Sequence, residues 1–416
     1  MNGYIKKSRI LQAVTLVVCL LFLTPCLIFA DEKEDPATVA KRKAGLAAAF
    51  SNNFCLDCHG ATAKYNLKSA RAGYETSVHK NGGNAFYANG AECMRCHTNE
   101  GFIDYVKTGA YDPKGYVAMP SQKGCFACHD PHVTGDMSLR TKKPVTMSNG
   151  AVFDMGEGNL CANCHQTRGK AKELIKEYPA KKLAGYWGAH HGGQSDMVLG
   201  NNAYEYAGKN YYSSVHGTLV KNSCVDCHMA TPKGRFSSSP GMAGHSFEIA
   251  GEVHHAPKLN TAGCLGNCHA KVKQVIAANE DTPKKAFWWH QTDAVFDIQA
   301  KADFDNDGKS EPLQSEVEGL LNLLVNNKGT GYLQKGDLPL YKKDGTWNWN
   351  RSDKIRTVKE VAAVYNYKYV AEDRSRGIHN APYTIQILYD TIQSLDPSFD
   401  ASKRNVYRPP EEYKAQ

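Results

Sequence analysis

Six times the chain places two cysteines directly before a histidine, a pattern suited to binding a redox cofactor. Five of these motifs have the spacing CxxCH, and the sixth has one more residue between its cysteines. CxxCH is the attachment sequence of c-type haem, in which two thiols bond the porphyrin and the histidine is the proximal iron ligand. The sequence therefore predicts six covalent haems. The motifs, each named below by its first cysteine, are Cys55/Cys58/His59, Cys93/Cys96/His97, Cys125/Cys128/His129, Cys161/Cys164/His165, Cys224/Cys227/His228 and Cys264/Cys268/His269.

The first 30 residues have the order of a secretory signal peptide. A positive segment around Lys6 and Lys7 precedes the apolar run 10–29, and cleavage is expected after Ala30. The run is also long enough for an uncleaved membrane anchor, which is the weaker alternative. Two of the 14 cysteines lie in this segment, and the six motifs use all the others, so no thiol is left for a disulfide. These features predict export to the periplasm or the cell exterior, where cysteine chemistry is oxidising.

The formal charge of +8 does not indicate a nucleic-acid partner. Signal cleavage removes three positive residues, and the propionates of each haem add negative charge, so the basic excess is largely neutralised. We instead expect redox proteins as partners, either a quinol-oxidising membrane complex or other cytochromes, in a setting such as anaerobic respiration.

The distribution of apolar residues predicts a mainly α, haem-dense and irregular fold. Residues 50–270 have few long apolar runs, so the porphyrins must supply much of the interior there, and the apoprotein is not expected to fold in that region. Short helices are expected over 161–178 and 264–278. We divide the chain into a signal peptide, 1–30, a hexahaem-binding part, 31–295, and a helical C-terminal part, 296–416.

Three helical patterns occur in the C-terminal part, at 315–327, 354–371 and 381–395. The third has apolar residues at three- and four-residue steps. Asn380 is a suitable N-cap for it, and Pro382 lies in the first turn, where a missing N–H is tolerated. These apolar stripes are interpreted as core rather than as cofactor contacts.

Ten histidines remain after the six proximal ones are set aside, and six would suffice to give every iron a second histidine. Such ligation fills both axial positions, which suits electron transfer and excludes substrate. His132, in CHDPH, is chosen as one distal ligand. The ten are His79, His132, His190, His191, His216, His245, His254, His255, His290 and His379.

Three segments resemble the ammonia-forming cytochrome c nitrite reductases and their octahaem hydroxylamine oxidoreductase and tetrathionate reductase relatives. They are GCFACHDPHVTGDMSLR around Cys125, NSCVDCHMA around Cys224, and RGIHNAPYTIQILYDTI at 376–392. The resemblance implies five core haems on the last five motifs and an additional one on the Cys55 motif. It further implies a homodimer formed through C-terminal helices, and distal ligands at His79, His216, His245 and His379.

The same resemblance raises the question of catalysis at the Cys93 motif. The reductases have a lysine under their active haem, where this chain has His97, and a tyrosine where it has Arg168. The nearest equivalents of the catalytic histidine and arginine are His190 or His191, and Arg71. Two interpretations of the function follow. In the first, which we favour, the chain is a pure electron-transfer cytochrome. In the second, it is a reductase of nitrite, hydroxylamine or tetrathionate at an open haem.

An acidic loop suggests a second kind of metal site. Asp303, Asp305 and Asp307 alternate before Gly308, and alternating carboxylates with a turn glycine suit calcium. Gln314 stands where an EF-hand loop would close with glutamate, so that fold is not implied. The alternative is a solvated acidic turn. The extra residue in the Cys264 motif could signal a lost haem, but attachment is favoured because His269 is retained and Gly266 allows a bulge.

Overall fold

A computed structural model describes most of the chain between residues 67 and 408. The described residues are 40–41, 67–82, 85, 93–109, 117, 119–177, 187–232, 241–253, 256–264, 269–276, 294–335, 340–348 and 357–408. The signal segment, the Cys55 motif with Cys58 and His59, Cys268, His254, His255 and His290 lie outside them.

Short helices dominate the first two thirds of the described chain, as the sequence predicts. They are α1 (Leu67–Thr76), α2 (Val78–Asn81), α3 (Met94–His97), α4 (Asn99–Thr108), α5 (Cys125–Cys128), α6 (Pro131–Thr134), α7 (Gly158–Ala162), α8 (Ala171–Glu177), α9 (Gln194–Leu199), α10 (His216–Leu219) and α11 (Cys224–His228). Three longer helices follow, namely α12 (Leu313–Leu324), α13 (Val358–Asp373) and α14 (Ala381–Leu395). The mainly α fold is confirmed.

The β-structure of the described residues consists of three small antiparallel pairs. The strands are β1 (Val145–Thr146) with β2 (Val152–Phe153), β3 (Ala250–Val253) with β4 (Ala256–Leu259), and β5 (Gln274–Ile276) with β6 (Ala294–Phe296). Two 3₁₀ turns cover Gly244–Ser246 and Ser402–Asn405. Strand β5 occupies residues for which the sequence predicts a helix, so that part of the prediction is wrong.

The chain divides into two compact units. The smaller comprises residues 1–65 and 130–138, and the larger comprises 66–129 and 139–416. Helix α6 belongs to the smaller unit, where Asp130 is its N-cap and Pro131 its first residue. All other elements named above belong to the larger unit. Within the described residues, every helix is too short or too polar to serve as a membrane span.

The main apolar core of the larger unit lies around α12, α13 and α14, joined by α8 and residues around Trp187 and Met197. Ile385, Leu388 and Ile392 of α14 are at most 1% exposed, so the stripe read from the sequence is core. Asn380 caps α14 by accepting a hydrogen bond from the backbone N–H of Tyr383. The polar cap thereby fixes the start of the helix at Ala381, two residues after His379.

Helix α13 begins with a capping box that stops it extending further back. The Thr357 hydroxyl accepts from the N–H of Glu360 at 3.2 Å, and the Glu360 carboxylate accepts from the N–H of Thr357 at 2.9 Å. The helix ends at Asp373. The segment 374–380 then connects it to α14, with Arg374, Arg376 and Gly377 in the left-handed region at φ 64°, 50° and 89°.

Candidate functional site

The cysteines of four motifs lie on helical turns that the structure forms locally. Helices α3, α5, α7 and α11 each carry at least one cysteine of their motif. A spacing of three residues places two side chains on the same face of a helical turn, so both thiols point in a common direction. All nine described motif cysteines are free thiols, Cys93, Cys96, Cys125, Cys128, Cys161, Cys164, Cys224, Cys227 and Cys264. They are therefore available for thioether bonds.

The five described motif histidines each face a second histidine across a gap. The ring centroids lie 5.9 to 6.2 Å apart, although the partners are distant in sequence. The pairs are His97 with His190 (5.9 Å), His129 with His245 (6.2 Å), His165 with His79 (6.1 Å), His228 with His379 (6.2 Å), and His269 with His216 (6.2 Å).

This spacing fits one metal ion between two imidazoles. A metal–nitrogen bond of about 2.0–2.1 Å, extended by ~1.1 Å from nitrogen to ring centre on each side, gives centroids roughly 6.3 Å apart. The four pairs at 6.1 and 6.2 Å are close to that value. Aromatic rings also meet at such distances without a metal. The orientation of the ring nitrogens separates the two cases.

Hydrogen bonds occupy Nδ1 and leave Nε2 for the gap in three pairs. His165 Nδ1 donates to Gln194 Oε1 at 3.2 Å, and His228 Nδ1 donates to the carbonyl oxygen of Phe247 at 2.9 Å. His216 Nδ1 donates to the carbonyl oxygen of Ile378 at 2.9 Å, and His379 Nδ1 to Asp373 Oδ1 at 2.7 Å. Metal-bound histidines carry this kind of second hydrogen bond, because it fixes the tautomer and the ring orientation.

Burial keeps most of these imidazoles neutral, which is the form that binds metal. Desolvation is the largest cause and lowers the pKa of His79 and His190 to about 3 and of His97 and His228 to about 4. It also lowers the pKa values of three further histidines, His165, His216 and His245.

His379 differs from that group. Burial acts to lower the pKa of His379, but the charge and hydrogen bond of Asp373, together with the charge of Cys224, raise it overall. His379 is therefore hydrogen-bonded to a carboxylate, whereas His165, His216 and His228 are bonded to neutral oxygens.

Exposed apolar side chains flank several of the facing histidines. Val78 precedes His79 and is 62% exposed, and Val215 and Leu219, on either side of His216, are 60% and 69% exposed. Apolar surface of this size at a ligand position is costly in water. A porphyrin held between the histidines would cover it, so the residues present fit haem.

The Cys93 motif has a distal side unlike the others. His190 faces His97, but its Nε2 accepts a hydrogen bond from the Arg168 guanidinium at 3.0 Å. His190 has a left-handed backbone, φ 67°, which is uncommon for a non-glycine residue and is frequent at functional sites. In the sequence, Arg168 was noted only because the nitrite reductases have a tyrosine at that position. In the structure its guanidinium contacts His190, the histidine that faces His97.

His191 lies beside His190, with ring centroids 5.1 Å apart, and its Nδ1 is 2.9 Å from Glu372 Oε2 of α13. The other two candidates lie elsewhere. Arg71 is exposed on α1. His132 lies exposed on α6, in the smaller unit. Arg168, rather than Arg71, is thus the arginine whose side chain contacts His190.

Adjacent motifs in the larger unit touch through their cysteines. Cys96 Sγ lies 3.8 Å from the carbonyl oxygen of Asn163, and Cys164 Sγ lies 3.8 Å from that of Arg95, so the Cys93 and Cys161 motifs meet reciprocally. Helix α7, which carries Cys161, packs on α11, which carries Cys224, and the interaction with Cys224 is the largest cause that raises the pKa of the Cys161 thiol.

Two more contacts extend this arrangement. Cys128 and Cys164 pack on one apolar cluster that also contains Leu160, which joins the Cys125 and Cys161 motifs. The backbone of Gly263, next to Cys264, lies against that of Cys227. Burial, and after it the charge of Cys264, raises the pKa of the Cys227 thiol. The Cys161 motif is therefore the junction of three others, and the Cys224 motif connects it to the Cys264 motif.

Phe247 is a site residue that sequence reasoning missed. Its carbonyl oxygen accepts from His228, while its ring packs against His79 at 4.7 Å and His245 at 6.0 Å. Its backbone is left-handed, φ 61°, after the turn at Gly244. One residue thus contacts ligand candidates of three pairs. The signal available in the sequence was its position two residues after His245.

The acidic loop forms two overlapping carboxylate groups. Asp303 and Asp305 converge with Glu316 of α12, and Asp305 and Asp307 converge with Glu311, with the oxygens of each group within 4.8 Å of one another. Glu316 is fully buried and was not anticipated. Lys403 Nζ lies 3.4 Å from Asp303 Oδ2 and supplies positive charge at the rim.

Comparison with known proteins gives a partial match. No protein-family model matches the chain. The C-type polyheme cytochrome OmcB of Geobacter sulfurreducens, in strains DL-1 / KN400 and ATCC 51573 / DSM 12127 / PCA, is 26% identical over 263 residues, which are 56% of this chain and 31% of that protein. The outer cell wall cytochrome OcwA has a solved structure with a TM-score of 0.42 and 18% identity, covering 78% of this chain and 49% of that one.

The chain therefore spans about a third of the length of the curated relatives it matches. The sequence likeness to a polyhaem cytochrome and the chain's own motifs support one class, a multihaem c-type cytochrome with covalently bound haem. The likeness to the nitrite reductases remains a prediction.

Proposed function

We propose that this chain is an exported hexahaem cytochrome that transfers electrons between redox proteins. One observation carries the proposal: five motif histidines each face a second histidine at metal-binding distance, on motifs that touch one another. Haem supplies reversible one-electron chemistry at such sites. The protein's part is to fix both axial ligands, to shield them from water, and to hold neighbouring motifs together.

The contacts between motifs support a branched path for electrons. The Cys93, Cys125 and Cys224 motifs all adjoin the Cys161 motif, and the Cys264 motif adjoins the Cys224 motif. A branched arrangement has several ends, so different partners can dock at different motifs. The partners proposed are membrane-bound quinol-oxidising complexes and other cytochromes, consistent with the relatives being polyhaem cytochromes.

Electron exchange without a small substrate tests this function. The holoprotein, reduced with dithionite and freed of excess reductant, should be reoxidised rapidly and completely by a soluble oxidised c-type cytochrome, as followed by haem absorbance. Reoxidation that occurs only with nitrite, hydroxylamine or tetrathionate, and not with the cytochrome, would overturn the proposal.

A second candidate function rests on the Arg168–His190 hydrogen bond. The Arg168 guanidinium bonds Nε2 of His190, whereas His216 and His379 make their hydrogen bonds through Nδ1. His190 would therefore be an exchangeable second ligand for an iron bound to His97. An arginine and a histidine around such a position suit a small anion. We therefore propose reduction of a small nitrogen or sulfur oxyanion at the Cys93 motif as the alternative.

Variants separate the two candidates. Under the alternative, Arg168→Gln should lower the affinity for nitrite at least tenfold and leave electron exchange with a cytochrome unchanged. Arg71→Gln is the matched control, because it removes the same charge from a side chain that is exposed on α1. A protein whose haem spectrum does not respond to nitrite, hydroxylamine or cyanide, with or without Arg168, would rule the alternative out.

A further inference from the structure

The Nδ1 hydrogen bonds of the ligand histidines differ in the charge of their acceptors. Three go to neutral oxygens, namely Gln194 Oε1 for His165, Phe247 O for His228 and Ile378 O for His216, at 2.9 to 3.2 Å. The fourth is the shortest, 2.7 Å, and goes to the carboxylate of Asp373 for His379. A carboxylate acceptor draws the Nδ1 proton more strongly and leaves more negative charge on the ring.

The Asp373–His379 contact is held rigidly and away from water. The Asp373 side chain is 1% exposed, and it is the last residue of α13. Its second oxygen accepts from the Ser375 hydroxyl, and Ser375 Oγ in turn accepts from the backbone N–H of His379 at 3.1 Å. Because the surroundings are buried, the effect of the carboxylate charge is not diluted by solvent.

We propose that Asp373, acting through His379, lowers the reduction potential of the haem on the Cys224 motif below those on the adjoining Cys161 and Cys264 motifs. A ligand with more negative charge stabilises the ferric over the ferrous state. Asp373 is thus a positioning and potential-setting residue. The inference rests on the proposed ligation of that haem by His228 and His379.

The position of the Cys224 motif gives a low potential there a role in electron flow. Its helix α11 packs on α7, which carries Cys161, and the backbone of Gly263, next to Cys264, lies against that of Cys227, so the Cys224 motif lies between the other two. An electron that moves between the haems on the Cys161 and Cys264 motifs must pass through the haem on the Cys224 motif, where its free energy is higher. The haem on the Cys224 motif should be reduced after those on the Cys161 and Cys264 motifs in a reductive titration, so it separates the electrons held on its two sides.

Substitution of Asp373→Asn tests the proposal with little change in shape. The amide keeps an oxygen for His379 Nδ1, as Gln194 does for His165, and removes only the charge. The expected result is an upward shift in the midpoint potential of one haem by on the order of tenfold in its reduction equilibrium, which is about 59 mV for a one-electron couple. EPR-monitored redox titration of the holoprotein provides the measurement.

Asp226→Asn is the matched control. Asp226 lies inside the same motif, where its carboxylate accepts from the backbone N–H and side-chain amide of Asn222 at 3.0 and 3.1 Å and is not bonded to a ligand histidine. The Asp226→Asn substitution removes one negative charge near the same haem, as Asp373→Asn does. An equal shift in both variants, or no shift in Asp373→Asn, would overturn the proposal.

Two further variants make the outcome unambiguous. Gln194→Glu places a carboxylate on His165 and should lower the potential of the Cys161 haem, which reproduces the effect at a second site. His379→Ala examines the ligation itself. An unchanged EPR spectrum in His379→Ala would contradict the proposed ligation, whereas a changed spectrum there, with no shift in Asp373→Asn, would contradict the role of Asp373 alone.

Discussion

The carbonyl oxygen of Ile378 accepts the Nδ1 proton of His216 at 2.9 Å, one residue before His379, which faces His228. The segment between α13 and α14 therefore orients ligand candidates of two motifs, Cys224 and Cys264. The N-cap Asn380 adds to this by accepting from the backbone N–H of Ser214 at 2.9 Å. The C-terminal helices thus position the haem-binding segments, although they carry no cysteine.

Replacement of His379 by alanine tests this link. All thioether bonds should form, because attachment needs only the cysteines and the proximal histidine. One haem should become high-spin or gain a substitute ligand with a shifted potential, and the C-terminal helices should become more sensitive to protease. EPR and limited proteolysis provide the measurements. If both match the unaltered protein, His379 is not a ligand.

The haem count can be checked by intact mass. The exported protein should begin at Asp31 and carry six haems, including one on the Cys264 motif with its wider cysteine spacing. Peptide mapping after alkylation gives the assignment. Five haems, with Cys264 and Cys268 both alkylated, would show that this motif does not bind haem.

A buried ion pair supports the same segment. Arg376 Nη1 lies 3.0 Å from Glu318 Oε2, and both side chains are 8% exposed. Arg376→Ala leaves a buried carboxylate without its charged partner, so the free energy of unfolding should fall by about 3–5 kcal/mol. Lys142→Ala, at an exposed pair with Glu157, should cost less than about 1 kcal/mol. Thermal unfolding of both holoproteins compares them, and equal losses would contradict the expectation.

The acidic loop predicts a stability that depends on pH and divalent cations. Burial, as the largest cause, raises the pKa of Asp305 to about 6 and that of Glu316 to about 7. Since both pKa values lie above the unfolded ones, the stability from protonation is complete below about pH 4 and is lost as the pH rises through 6 and 7.

Calcium should compensate for that loss if it binds the loop. It should raise the unfolding temperature at pH 8 and have much less effect at pH 5, where protons compete for the carboxylates. Asp305→Asn should abolish the calcium effect, whereas Asp344→Asn, an exposed carboxylate elsewhere, should preserve it. A calcium effect of the same size at both pH values would contradict binding at this loop.

The sequence predicts the features that depend on local pattern. The three C-terminal helices were expected, and α14 has the bounds Ala381–Leu395 read from its stripe and its Asn380 cap. The predicted helix over 354–371 begins later, at Val358, because Thr357 and Glu360 form a capping box that was overlooked. The helix expected over 161–178 is interrupted, since Asp196 accepts from both the N–H and the hydroxyl of Thr167.

Features that depend on distant parts of the chain could not be read from one sequence. The partner of each proximal histidine, such as His79 for His165, is set by how the loops fold over one another. Strand β5 forms within 264–278 because β6 supplies a partner that local propensity does not reveal. Arg168 and Phe247 become site residues only when the chain is folded.

Low-temperature EPR of the fully oxidised holoprotein tests the central claim most directly. If facing histidines ligate the irons of the five described motifs, those motifs should give low-spin signals, with a high-spin component of one haem at most, from the Cys93 motif where Arg168 holds His190. That component should respond to His190→Ala and to no other distal substitution. High-spin signal equivalent to three or more haems in the unaltered protein is more than the Cys55 and Cys93 motifs can supply, and it would contradict the proposed ligation and the electron-transfer function built on it.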